Sequence, residues 1–286
     1  MVAISSLFDN YMPLIYGIIA VYALFIFTWV ISLILKNASV VDWIWGLGFA
    51  VQAGVFLSKD SDKGLNYTRI VFSSLVIFHG LRLAVYITVR GWSKGEDKRY
   101  KTIFRDKYGG NMWWVSLVMI FLFQALINLI VGLVIYTQNS VLNIDDVNLG
   151  AFFFGIAVMF LGTVYETVAD LQLYFFKKDT NNSGKVLNSG LWYYSRHPNY
   201  FGESVFWLGC YICNLSAGIW FTFFSPVLMI FFIVFVSGVP ILENMMNKDY
   251  DSKYGSYIRT TSSFLPWCKL KDNATNLPGE TNTNYM

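Results

Sequence analysis

The chain has 286 residues, of which 55% are hydrophobic and 14% charged, and its formal net charge is +3. Soluble domains carry roughly 25% charged residues, so this composition excludes an ordinary water-soluble domain and indicates an integral membrane protein, an all-α polytopic bundle. The small positive charge gives no reason to expect nucleic acid, because topology alone explains basic loops.

Crossing about 30 Å of hydrocarbon takes about 20 mostly apolar residues. Seven stretches approach that length, near 12–35, 40–57, 68–90, 112–136, 149–176, 199–217 and 220–241, which predicts about seven transmembrane helices. The second and sixth are short and contain Gly. The first lacks a basic leading region and a small-residue cleavage site and is expected to be a retained span. The domain expectation is a single membrane unit over 1–270, followed by a disordered polar tail over 271–286 rich in Asn and Thr.

Lys and Arg concentrate in residues 91–111, in 177–198 and after residue 247, which fall on one side of a seven-span arrangement. By the positive-inside rule that side is expected to be cytosolic. The sequons at Asn37, Asn66 and Asn181 add nothing to this, although a glycan on Asn181 would reverse it. Cys210 and Cys213 form a C-x-x-C inside an apolar helix with no second pair, so packing is expected there and not zinc.

Ionisable residues within spans are costly and mark functional candidates. In chain order they are Asp42 in Asp-Trp-Ile-Trp-Gly46, His79 and Arg82, Glu166 and Asp170, Glu203, and Glu243. Spacings of three and four put His79 with Arg82, and Glu166 with Asp170, on single helix faces. The bland alternative is that such pairs only hold helices together. The loop Lys94-Gly-Glu-Asp-Lys-Arg-Tyr100 reads either as a solvated charge run or, through Arg99 and Tyr100, as a cation and ring suited to a nucleotide.

The densest block is Gly190-Leu-Trp-Tyr-Tyr-Ser-Arg-His-Pro-Asn-Tyr-Phe-Gly-Glu203. Pro198 and Asn199 start a helix whose first-turn N–H groups, with Arg196 and His197 nearby, suit a phosphate or carboxylate. With only His79 and His197 present, a multi-His metal site is excluded, and no metal is expected. Neither a P-loop nor a G-x-G-x-x-G after a strand occurs, nor a G-x-S-x-G elbow, so a bound nucleotide would have to lie between helices.

Taken in order, Asp-Trp-Ile-Trp-Gly46, His-Gly-Leu-Arg82, Lys-Gly-Glu-Asp-Lys-Arg-Tyr100, Glu166-Thr-Val-Ala-Asp-Leu-Gln172, the Arg-His-Pro-Asn-Tyr block with Glu203, Ser237-Gly-Val-Pro-Ile-Leu-Glu243 and Phe264-Leu-Pro-Trp267 resemble the steroid 5-alpha-reductase superfamily, in its DUF1295-type branch. The likeness runs from about Asp42 to Trp267. It implies an endoplasmic-reticulum enzyme that reduces an activated C=C bond of a sterol, steroid or enoyl lipid with NADPH at the cytosolic ends of its C-terminal helices. By position, Asp170 and Glu203 would bind the cofactor within the bundle and Asn199, followed by Tyr200, its nicotinamide end. Lys177, Arg99, Tyr100, Arg196 and His197 would line its phosphates and adenosine, with Tyr257 and Arg259 closing over it. The Tyr and Glu that the studied steroid reductases place on the substrate carbonyl have no clear match among Asp42, Gln52, His79 and Tyr86, and His79, supported by Arg82 or Asp42, is the expected donor.

Two alternatives remain open. Isoprenylcysteine methyltransferases carry a similar Arg-His-Pro block, which would make the ligand S-adenosylmethionine. A non-catalytic lipid binder would keep the fold and lose nucleotide affinity.

Overall fold

A computed structural model describes residues 11–59, 66–92 and 94–270, and among these it contains helices and no strand. The polar tail expected after residue 270 lies outside the described residues. Five helical stretches are long and apolar enough to cross a membrane: Met12–Leu35, Tyr67–Gly91, Lys98–Asn139, Leu149–Lys178 and Phe221–Met246. The other two expected segments are helical but fall short of that measure. One is the 15-residue Trp45–Lys59, separated at Ile44 from a short turn at Val40–Trp43. The other is Pro198–Ser216, 19 residues long, which carries buried polar groups.

We name the helices α1 (Met12–Leu35), α2 (Trp45–Lys59), α3 (Tyr67–Gly91), α4 (Phe123–Asn139), α5 (Leu149–Lys178), α6 (Pro198–Ser216), α7 (Phe224–Phe231) and α8 (Val239–Thr260). Before α4 the chain winds through Met112–Ser116 and a π-turn at Leu117–Leu122. The expected seventh span is interrupted: α7 runs into a π-turn at Phe232–Val236, and Pro240 then opens α8, which extends to Thr260. Proline is tolerated in a first turn, where its missing N–H would have no partner.

The tightest seam joins α5 to α6, which run antiparallel. A Cβ built on Gly202 would lie 2.6 Å from the Glu166 N, one on Gly162 2.5 Å from the Phe206 N, and one on Gly209 2.5 Å from the Met159 N. Gly155 and Gly162, and likewise Gly202 and Gly209, are seven apart, so each pair repeats on one face after two turns. Small residues at such a face let helix backbones touch, which is how helices associate where lipid gives no hydrophobic drive. α2 meets α3 in the same way, Gly46 against the Gly80 carbonyl and Gly80 against the Gly46 carbonyl.

Contacts between α3 and α5 are in register and parallel: Tyr67 stacks with Phe153, His79 reaches Thr163, and Arg82 reaches Glu166 and Asp170. The C-terminal ends of α3 and α5 therefore lie beside the N-terminus of α6. All the loops on that side are the basic ones. The apolar core, including Phe49, Val76, Phe152, Phe206 and Trp207, fills the middle of the bundle.

Candidate active site

Three helices deliver the charged centre. On α3, His79 and Arg82 face inward; α5 brings Thr163, Glu166 and Asp170; the first turns of α6 bring Asn199 and Glu203. His79, Glu166, Asp170 and Glu203 are all buried, none more than 6% exposed. Within-helix spacing predicted the shared faces, and the Gly seam is what brings α6 close enough to complete them.

His79 is held on three sides. Its Nδ1 is 3.1 Å from Thr163 Oγ1, its Nε2 is 2.9 Å from Glu203 Oε2, and its ring stacks on Phe206 at 3.6 Å. Because the Thr163 hydroxyl donates to the Met159 carbonyl, its oxygen is left to accept, so the imidazole hydrogen belongs on Nδ1. One further proton must then lie between Nε2 and Oε2, on whichever atom carries it. The other Glu203 oxygen accepts from Trp207 Nε1 at 2.8 Å. Trp207 follows Glu203 by four residues, a spacing that sequence could have flagged; Thr163 left no such signal.

Arg82 bridges the two α5 carboxylates, with Nη1 donating to Asp170 Oδ2 at 2.8 Å and Nη2 paired with Glu166 Oε2. Asp170 Oδ1 accepts from Asn199 Nδ2 at 3.2 Å. His79, Glu166 and Glu203 offer ligand atoms within 4.8 Å of one another, a convergence across three helices that no sequence spacing displays. The Arg82 guanidinium already supplies positive charge there.

Asp42 does not support His79. It lies with the residues assigned to the nucleotide: Arg99 donates to its Oδ2 at 2.8 Å and the Tyr100 hydroxyl to its Oδ1 at 2.5 Å, with Gln124 donating to Tyr100. Arg99 also grips Asp97. Burial works to raise the neighbouring Asp97 and Glu96 carboxyls, but Arg99 at the first, and Arg105 with the Ala38 N–H at the second, outweigh it and hold both below the usual range. The loop is thus an ion-pair network that ties residues 94–105 to the start of α2, not a solvated charge run.

Arg196 and His197 are also committed elsewhere. Arg196 donates from Nε to Glu243 at 2.8 Å and from Nη1 to the carbonyls of Ile258 and Thr261 at 2.7 and 2.8 Å. His197 stacks on Tyr200, and its Nε2 lies 3.3 Å from Glu243 Oε1. Tyr257 donates to the Trp192 carbonyl at 2.5 Å, so the C-terminal segment is strapped to the Arg-His-Pro block. Gly190, at φ 62, packs its α-carbon against the Gln172 side chain, and Gln172 accepts from the Leu191 N–H. Arg196 thus ties Glu243 and the end of α8 to the start of α6. Charge-assisted bonds are worth about 1.5–3 kcal/mol each, and 1.4 kcal/mol is about tenfold. Arg196→Lys, which cannot span Glu243 and two carbonyls, is expected to speed tryptic cleavage at Arg259 and Lys269 by about tenfold or more; unchanged digestion would mean the strap holds without it.

Exposed Lys177, with Arg90 and Lys94, forms a cationic rim where α3 and α5 end. Arg90 lies over the Tyr86 ring, 5.5 Å from its centroid, and within electrostatic range of Asp170. Tyr200 in turn is in range of Arg99, Arg90, Asp42 and Asp170, so the two charged clusters border one region. Arg90 carried no site role in the sequence, although with Tyr86 it continues the face of His79 and Arg82.

Residues 28–261 match the family model described as protein of unknown function, DUF1295. The chain belongs to the DUF1295 family. The match covers the bundle from within α1 to the end of α8, including every residue of the charged centre and the cationic rim. No curated protein and no solved structure matches the chain.

Proposed function

We propose that this DUF1295 protein is a steroid 5-alpha-reductase-like membrane oxidoreductase, which reduces an activated C=C bond of a sterol, steroid or enoyl lipid with NADPH. The observation that carries this is the set of buried Glu166, Asp170 and Glu203 with half-buried Arg82 and Asn199, opening toward the cationic rim of Arg90, Lys94 and Lys177. Such a site has the polarity of a dinucleotide. The rim would take the phosphates, and Asp170 with Asn199, one acceptor and one donor, would take a carboxamide. Arg196 and His197 have no part in this binding, and Arg99 and Tyr100 act through Asp42.

The donor set fits the cofactor in a second respect: Arg82 Nε is buried without a hydrogen-bond partner among the described residues, and such an atom marks a place where something else is accommodated. Bound NADPH would supply a hydride. The chain's own residues hold its ends, keep water from the centre, and store a proton on the His79–Glu203 link. An apolar groove of about 610 Å³ runs along the α3–α5 seam between Ile70, Phe78, Phe153 and Phe160, a path by which a lipid would approach. We further propose that all seven helical segments cross the bilayer, in the endoplasmic reticulum, with the rim facing the cytosol.

Melting of the detergent-purified protein with NADPH, NADH and S-adenosylmethionine side by side tests this. NADPH at a hundred times its Kd should stabilise by about 2.7 kcal/mol. Asp170→Asn should lose that shift and still melt cooperatively. A shift with S-adenosylmethionine alone would make the protein a methyltransferase, and none with any ligand would make it a lipid binder.

A further inference from the structure

Asp170 faces the charged centre, and Gln172, two residues later, stands about 200° round α5, on its opposite side. There a cavity of about 610 Å³ lies between α5 and the start of the Arg-His-Pro block, lined by Gln172, Asn188, Ser189, Gly190, Tyr193 and Tyr194. Small-molecule sites run from roughly 300 to 1,000 Å³, so the size suits a ligand. Its wall is fixed where α5 meets the block: Gly190 holds φ 62, and a Cβ there would lie 2.6 Å from Gln172 Nε2. Gln172 gives its oxygen to the Leu191 N–H at 3.0 Å, which leaves its amide nitrogen to face the cavity. The Asn188 amide, the Ser189 hydroxyl and two phenols stand beside it.

The segment after α8 adds a cation. Ser195 Oγ donates to the Phe264 carbonyl at 2.8 Å and the Trp267 N–H to the Tyr194 carbonyl at 3.0 Å, which lays this segment along the block. Lys269 Nζ is thereby set 4.7 Å from the centroid of the Tyr193 ring. No Asp or Glu lines the cavity among the described residues, so it offers hydrogen-bond donors and positive charge, the complement of a phosphodiester. Its flank is apolar: Leu265, Trp267 and Leu270 are exposed, Trp267 by 70%, as are Leu171 and Phe175 on the outer side of α5. Trp and Tyr collect where a bilayer meets water, and cationic pockets at that depth hold anionic headgroups. We infer that this cavity seats the headgroup phosphate of an anionic glycerophospholipid, taken from the leaflet on the basic side, with Leu265 and Trp267 against its acyl chains. A dissolved phosphate would meet the same donors and gain nothing from that flank.

Melting of the delipidated full chain in detergent tests the seat, with dioctanoyl phosphatidylglycerol, dioctanoyl phosphatidylcholine and inorganic phosphate titrated separately. Wild type should bind phosphatidylglycerol about tenfold or more tighter than phosphatidylcholine and show no shift with phosphate. Lys269→Gln should weaken phosphatidylglycerol by about tenfold, the scale of one charge-assisted hydrogen bond. Asn188→Asp, nearly isosteric at an exposed position, should weaken it as well by bringing a like charge into the cavity. Lys107→Gln removes an exposed cation from another basic loop and should leave the affinity unchanged. Equal shifts with the two lipids overturn the seat, as does a loss in Lys107→Gln to match that in Lys269→Gln, since the attraction would then belong to the whole surface. A phosphate shift that Lys269→Gln abolishes would make the cavity a site for a dissolved anion and overturn the lipid. An NADPH shift lost in Lys269→Gln, with phosphatidylglycerol binding intact, would assign the cavity to the nucleotide instead.

Discussion

Arg82→Met is expected to destabilise the bundle by about 3–5 kcal/mol, read as a lower melting temperature in detergent, because it strands buried carboxylates without their cation. Arg82 is the cation within ion-pair distance of both Glu166 and Asp170, whose side chains are 5% and 3% exposed. Met preserves most of the volume, so the loss is electrostatic and not a cavity. Adding Glu166→Gln to Arg82→Met should recover part of the stability, since one stranded charge is removed, and the two effects should be far from additive. An Arg82→Met protein that melts with wild type would show that the carboxyls are neutral in the fold and that no ion pair organises the centre.

Gly202→Leu is expected to give no folded protein, and Gly202→Ala to cost about 1–3 kcal/mol, the range for overpacking. The first added carbon would lie 2.6 Å from the Glu166 N and 2.7 Å from its Cβ, so α5 and α6 must move apart along their whole seam. That movement also pulls Glu203 from His79 and Asn199 from Asp170, bonds of 2.9 and 3.2 Å that tolerate little stretching. Gly202→Ala should therefore lose NADPH affinity, where the proposed function holds, by more than its stability loss alone would suggest. Size-exclusion profiles and melting curves of the two variants decide this: a monodisperse Gly202→Leu protein with wild-type melting would mean the helices do not touch at this point. In a soluble helix Gly would be a liability of about 1 kcal/mol against Ala, and here the close approach compensates for it.

Much of the fold was legible because its cause is local. A run of about 20 apolar residues has few places to go except lipid, and all seven runs became helices. Where local chemistry competed, prediction drifted: Ile44 splits the second segment, and Pro240 stops α7 from continuing into α8. His79 with Arg82 and Glu166 with Asp170 were legible as pairs because helical periodicity alone puts them on shared faces. Which groups each pair would meet was not, nor were the partners of Asp42 and Arg196. Their sequence neighbours are polar and suggestive, but their partners lie 57 and 47 to 65 residues away.

Sequence by itself determined that this protein is a helical membrane bundle whose rare charges must turn inward and whose basic loops share one side, since burial and periodicity act over a few residues. Only the tertiary structure decided that Glu203 closes on His79, that Asp42 belongs to Arg99 and Tyr100, that Arg196 is a strap, and that Arg82 Nε is left open. Those outcomes depend on how closely glycine lets α6 approach α5 and on the register of α3 beside α5. Such distances are set by packing between residues 29 to 124 apart, and no local pattern encodes them.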